Sequence, residues 1–203
     1  MRTPKIEALN RLINFLHQYY PSLPVDNFKP LDLSPIDSNA WLSGMWDADG
    51  GFAITISRAS DFTVGYRTKI KAKIELRTDY HREIDASIGS TSYYYIMETI
   101  ANFFNVNVRE SRRFQFNRMY STYVVEASGM SSHKIVVSYF SRFPLFTSKY
   151  MNYLRWLEIH QMQLRKDHTT LIGLQRCIEI KNDFNTNLSL QNISWNHLSN
   201  FYI

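Results

Sequence analysis

Two groups of residues in this sequence have the types and spacing to act on a phosphodiester. Residues 47–51 read Asp-Ala-Asp-Gly-Gly at the end of an apolar helical segment. Carboxylates at a helix C-terminus face the negative end of the dipole, which disfavours them, so a cation is expected beside Asp47 and Asp49. Residues 67–77 alternate strictly. Arg67, Lys69, Lys71, Lys73 and Arg77 fall on one side of an extended strand, interrupted only by Glu75, with Thr68, Ile70, Ala72, Ile74 and Leu76 on the other. Metal-assisted phosphodiester hydrolysis needs both groups: carboxylates that hold Mg²⁺ against the scissile phosphate, and cations that offset the charge of the backbone. Asp-x-Asp-Gly alone occurs in many turns, and a helix-end or hairpin-start hydrogen bond is the competing role for Asp47.

Like charges at i, i+2 repel across a sheet face, so the cationic strand needs a reason. Edge lysines that block unwanted strand pairing are one reading. A sheet face laid along a phosphate backbone is the other, with double-stranded DNA as the partner. Thr55, Ser57 and Arg58 on the preceding strand, and Arg113, Gln115 and Asn117 on a later hairpin, add residue types that contact phosphates or base edges. A two-stranded ribbon fits the ~12 Å major groove of B-DNA. Such binding weakens steeply with salt.

The elements that would position these groups follow from periodicity. Residues 5–20 form a one-sided helix that Pro21 stops. Residues 21–35 hold four prolines and no period, the mark of an extended connector. Residues 1–37 are thus an appendage, and the compact domain spans 38–203. Ser38 or Asn39 caps a helix running into Asp47-Ala48-Asp49, strands follow at 51–58 and 67–77, and then a helix through Tyr95 and Phe104. A second hairpin is expected at 106–118 and 120–127, and helices at 131–141, 148–165 and 169–183, before a short helix around Trp195. Helix, hairpin, helix, hairpin, helix is an α+β domain with one antiparallel sheet.

Composition agrees with a folded nucleic-acid binder. The 203 residues carry 23 Lys+Arg against 18 Asp+Glu, a net charge of +5, with 44% hydrophobic residues. That richness excludes a disordered chain. One cysteine, Cys177, closes no internal disulfide, and no Cys/His cluster has zinc-finger spacing. No apolar run reaches the ~20 residues of a membrane span. Burial is the expected role of Trp41, Trp46, Trp156 and Trp195 and of the Tyr93-Tyr94-Tyr95 and Phe103-Phe104 clusters. His160 and His168 are expected in solvated or capping positions. The basic, amphipathic opening suits an organellar presequence, against which stand Glu7 and the absence of serine there.

Residues 41–52, Trp-Leu-Ser-Gly-Met-Trp-Asp-Ala-Asp-Gly-Gly-Phe, resemble the motif of the LAGLIDADG homing endonucleases. The opening segment is similar to the stretch that links the halves of two-motif organellar members, and 144–150 with the helical tail resembles the end of their second half. The resemblance implies that fold, with the antiparallel sheet as a DNA-binding saddle and helices packed behind it. It implies a site-specific, Mg²⁺-dependent double-strand DNA endonuclease in which Asp49 and the Ala48 carbonyl hold the metal. Asp49 and Lys149 are then the catalytic residues, and Gly44 and Ala48 lie at a helix–helix dimer interface. A polar residue that positions solvent is expected near Arg77 or Thr78, where many members have Gln and this chain does not.

Two motif helices are needed for double-strand cleavage in this family, and only one occurs here. The chain is therefore expected to pair, as a homodimer or with a separately encoded LAGLIDADG half. The alternative function is an intron RNA-binding maturase or a cleavage-inactive binding component. A bias toward Ile, Asn, Lys, Phe and Tyr suits an AT-rich organellar gene, hence a mitochondrial location; no membrane association is expected.

Overall fold

A computed structural model describes residues 1–27, 29–61, 64–82, 90–185 and 196–198. Its elements are α1 (Ile6–Tyr19), α2 (Trp41–Asp49), β1 (Gly50–Arg58), β2 (Tyr66–Arg77), α3 (Tyr94–Phe104), β3 (Val108–Gln115), β4 (Arg118–Ala127), α4 (Met130–Arg142), α5 (Lys149–Arg165) and α6 (Leu171–Asp183). The strands form one antiparallel sheet in the order β1-β2-β4-β3. The architecture is the α+β one expected.

Alternation in β1 and β2 decides how the sheet is used. Phe52, Ile54, Ile70, Ala72, Ile74 and Leu76 face the helices and are buried, whereas Ala53, Thr55, Arg67 and Lys69 are exposed on the opposite, open face. The helix side is filled by aromatic residues. Trp46, Phe52, Phe140 and Trp156 meet with ring centroids 5.4 to 5.9 Å apart, in tilted or edge-on geometry, the arrangement that ring quadrupoles favour. Trp46 and Trp156 are core residues as expected, and Trp41 packs at the margin. Trp195 and the short helix around it lie outside the described residues; a 3₁₀ turn is present at Asn196–Leu198.

Several expectations are corrected. The turn of the second hairpin falls earlier than expected, its strands ending at Gln115 and restarting at Arg118 rather than at 118 and 120, because Phe116 and Asn117 take positive φ and form the turn. Asn117 is therefore a turn residue. Tyr94 and Tyr95 are exposed, and only Tyr93 of that cluster is buried. His160 is buried too, stacked on Trp156 at 5.5 Å and set edge-on to His133. At the start of α2, Asn39 receives the Trp41 N–H at 2.9 Å, while Ser38 sits in a 3₁₀ turn.

The proline-rich connector is tied down. Arg2, only 3% exposed, donates to the Ser34 and Pro35 carbonyls and pairs with Asp32 at 3.2 Å. Its guanidinium also lies 5.5 Å from the Trp41 ring, within reach of a cation–π contact. Farther along, the Tyr80 hydroxyl donates to Glu7 at 3.3 Å, which holds α1 against the domain.

Candidate nuclease site and nucleic-acid face

Helix α2 delivers Asp47 and Asp49 to opposite tasks. Asp47 accepts from the Phe146 N–H at 2.7 Å and the Thr147 hydroxyl at 2.6 Å. It thereby fixes the turn that leads into α5, the helix-end role that competed for it in the sequence. Asp49 is exposed at the last helical position, and the Gly50 N–H closes the helix on the Trp46 carbonyl.

The turn held by Asp47 places Lys149 at the start of α5. Its ammonium donates to the carbonyls of Trp46 and Ala48, 3.1 Å from each. The Trp46 carbonyl also accepts the Gly50 N–H, whereas the Ala48 carbonyl is among the last of α2, where no intrahelical donor is available; a cation there complements the dipole. The cation expected beside the two aspartates is thus built into the chain. Burial pulls the Lys149 ammonium below the ordinary lysine range, while Asp47 and Asp49 work against that shift.

Asp49 opens onto a cavity of about 170 Å³ lined also by Thr3, Lys5, Met45, Glu75, Leu76, Arg77 and Tyr93. Arg77, one of the two positions expected to hold the solvent-positioning group, therefore shares a cavity with the candidate metal ligand. Burial pushes the Tyr93 phenol above its ordinary range, with Arg77 opposing and Tyr80 and Asp49 adding to the shift. Thr3 and Lys5 were not legible as site residues, since the connector separates them from Asp49 in sequence. Glu75 was the one acid at outward parity in a basic run, a signal that could have marked it.

The open sheet face carries its own anions. Glu75 receives Lys73 at 2.5 Å, Thr122 at 2.7 Å and Arg113 at 3.1 Å. Burial acts to raise its carboxyl, but these hydrogen bonds and the Lys73 and Arg113 charges outweigh it and hold it below the usual glutamate range. Lys71 pairs with Glu126 at 2.8 Å across the β2–β4 ladder. Lys69 and Arg77 have no carboxylate partner among the described residues. The register sets Thr55 opposite Lys69 and Ser57 opposite Arg67 on this face, with Gln115 and Arg113 on its β3 side. Arg58, opposite Tyr66, falls instead on the parity of Phe52 and Ile54 and does not share the face.

Gly44 and Ala48 lie one turn apart on α2, both exposed, and a Cβ built at Gly44 meets nothing within 4 Å. The donor atoms near Asp49 are hard oxygens, its carboxylate and the Ala48 carbonyl, which suits Mg²⁺. No cluster of three His, Cys, Asp or Glu occurs among the described residues. Two hard oxygens are a small share of a coordination shell, which fits the habit of Mg²⁺ of keeping several waters and taking only one or two protein carboxylates.

The LAGLIDADG endonuclease family model matches residues 42–160, more than half of the chain. The chain belongs to the LAGLIDADG endonuclease family. It is 32% identical to the intron-encoded DNA endonuclease aI3 of Saccharomyces cerevisiae, an alignment that covers 100% of this chain and 53% of the yeast protein. The chain thus spans about half the length of that relative. Among solved structures, the homing endonuclease I-TnaI matches at a TM-score of 0.60 and 25% identity, over 77% of this chain and 91% of that one. The LAGLIDADG homing endonuclease I-LtrWI, solved bound to target DNA, matches at 0.58 and 24% identity over 86% of this chain and 52% of its own. The match begins within α2, at Leu42, and runs on past Lys149.

Proposed function

We propose that this LAGLIDADG chain is one half of a site-specific DNA endonuclease that cleaves both strands when a second motif helix joins it. The observation that carries the reading is the position of Asp49. It is an exposed carboxylate at the junction of α2 and the cationic sheet, backed by the Lys149 ammonium on the same helix end. The face of β1, β2, β3 and β4 would lie along double-stranded DNA, with Lys69 and Arg77 free to meet phosphates.

Asp49 and the Ala48 carbonyl would hold Mg²⁺. When bound, that ion supplies positive charge at the scissile phosphate and acidifies a water. Lys149 holds the end of α2 and, one hydrogen bond away, adds charge that favours a negative transition state. Arg77 and Lys5 bring positive charge to the Asp49 cavity and would orient the flanking phosphates. The bare surface at Gly44 and Ala48 allows a second motif helix to approach closely, as small residues do elsewhere. A second copy or a separately encoded half would supply the other carboxylate. The relative's intron origin and the amino-acid bias toward Ile, Asn, Lys, Phe and Tyr support a mitochondrial gene.

The test is to incubate the chain, alone and with any partner half, with Mg²⁺ and DNA carrying the uninterrupted junction of its host gene. Cleavage by wild type that Asp49→Asn abolishes without loss of DNA binding is the expected result. If both leave that DNA equally intact while both bind intron RNA, the protein is a maturase.

A further inference from the structure

The β3–β4 hairpin closes in two residues, Phe116 and Asn117, between the paired Gln115 and Arg118. Both turn residues are left-handed, with φ of 51° and 58°. A two-residue turn with both φ positive is of type I′, in which Gly, Asn and Asp dominate because other side chains crowd the backbone. Asn117 obeys that preference and Phe116 does not.

Packing does not compensate for this conformation. Phe116 is 84% exposed; the cross-strand pair behind it, Phe114 and Met119, is also exposed but lies on the parity of Val108 and Val125, the ribbon face turned away from Arg113 and Gln115. Single exposed apolar residues are ordinary; a phenylalanine held at a hairpin tip in an unfavourable conformation, with no packing in return, is not. Arg113, Gln115 and Arg118 share the open face of the same ribbon end, so the tip continues the surface assigned above to DNA. A partner that suits this end must accept cations and a flat apolar ring within one strand width. Duplex DNA offers both, phosphates for the arginines and the faces of the bases for the ring.

We propose that Phe116 is an aromatic wedge that stacks against a base step at the outer end of the bound DNA half-site. The inference rests on the DNA-binding reading above. It makes the hairpin tip a contact to bases rather than to phosphates. A wedge of this kind partly unstacks the step and kinks the duplex, so it favours flexible pyrimidine–purine steps at that position.

The experiment uses the whole chain, a library of duplexes with a randomised centre, and the variants Phe116→Gly and Phe116→Trp. Phe116→Gly should raise Tm by about 2–4 °C, since glycine suits the turn. The same variant should weaken binding of the best recovered duplex roughly ten-fold, with an unchanged salt slope because no phosphate contact is lost. Phe116→Trp should keep the affinity. Opposite signs for stability and affinity are what a merely structural residue would not produce, and a loss of both in Phe116→Gly overturns the wedge. Unchanged affinity in Phe116→Gly overturns it while leaving DNA binding intact. Self-association of wild type that Phe116→Gly abolishes, with DNA affinity unchanged, assigns the tip to a second copy and also overturns it. Failure of wild type to bind any duplex removes both readings together.

Discussion

Lys149 donates its ammonium to the Ala48 carbonyl, 3.1 Å away, on the last turn of the helix that ends in Asp49. Replacing it with methionine keeps the stem and removes the charge. Lys149→Met should lower stability by about 1 kcal/mol, the scale of one charge-assisted hydrogen bond and a dipole contact. Cleavage should fall far more than DNA binding does. Denaturant midpoints beside single-turnover cleavage and filter binding separate these effects.

Gly50 and Gly44 sit in the same motif and should respond to alanine with opposite signs. A Cβ at Gly50 runs into the buried Trp46 ring, whereas one at Gly44 meets open space. Gly50→Ala should cost about 1–3 kcal/mol by overpacking. Gly44→Ala should leave the isolated chain as stable or up to about 1 kcal/mol more stable, since alanine is the better helix former. It should nevertheless weaken pairing with a second motif helix, as sedimentation against concentration would show.

The cations of β2 should differ in their contribution to the salt dependence of DNA binding. Lys69→Ala should flatten the slope of log affinity against log salt by about one phosphate's worth. Lys71→Ala should flatten it less, because Glu126 already neutralises that ammonium at 2.8 Å. Glu126→Gln should then strengthen binding. Equal, unchanged slopes in all three variants would show that neither lysine meets a phosphate.

His133 should make the fold acid-sensitive. It is 2% exposed, with the His160 ring centred 5.5 Å away. Burial first, and then the His160 charge, pull its imidazole from 6.5 to about 4, with the backbone at Ala127 and Ile70 acting in the opposite sense. Lys134 bears on His160 in the same direction as burial. The unfolded chain therefore binds a proton near pH 6.5 that the folded chain refuses until about pH 4. The contribution is fully present above pH 6.5 and is lost as pH falls toward 4, at most about 3 kcal/mol in all. Denaturant midpoints measured across that window should fall for wild type and stay flatter for His133→Leu.

The sheet and helices were legible because period-2 and period-3.6 patterns in 51–77 and 148–165 answer to burial, which is local in sequence. The two roles within Asp47-Ala48-Asp49 could not be separated that way. Asp47 is anchored by Phe146 and Thr147, and Lys149 reaches back to Ala48; contacts across some hundred residues leave no periodic trace. The same holds for Lys5, which lines the Asp49 cavity in a segment tied down by long-range contacts, Arg2 to Asp32 and Ser34 and Glu7 to Tyr80. The hairpin end was misjudged because Phe116 disobeys the turn chemistry on which such readings depend.

Glu75 stands among Lys73, Arg113 and Thr122 much as a phosphate oxygen would, accepting from all three. The chain therefore brings its own competitor to the surface proposed to meet DNA. A duplex that offers charge alone must displace a ligand that never diffuses away, whereas one that also satisfies the neighbouring contacts gains enough to do so. On that reading the tethered carboxylate sets a threshold, and modest net charge becomes a means of rejecting the wrong sequence.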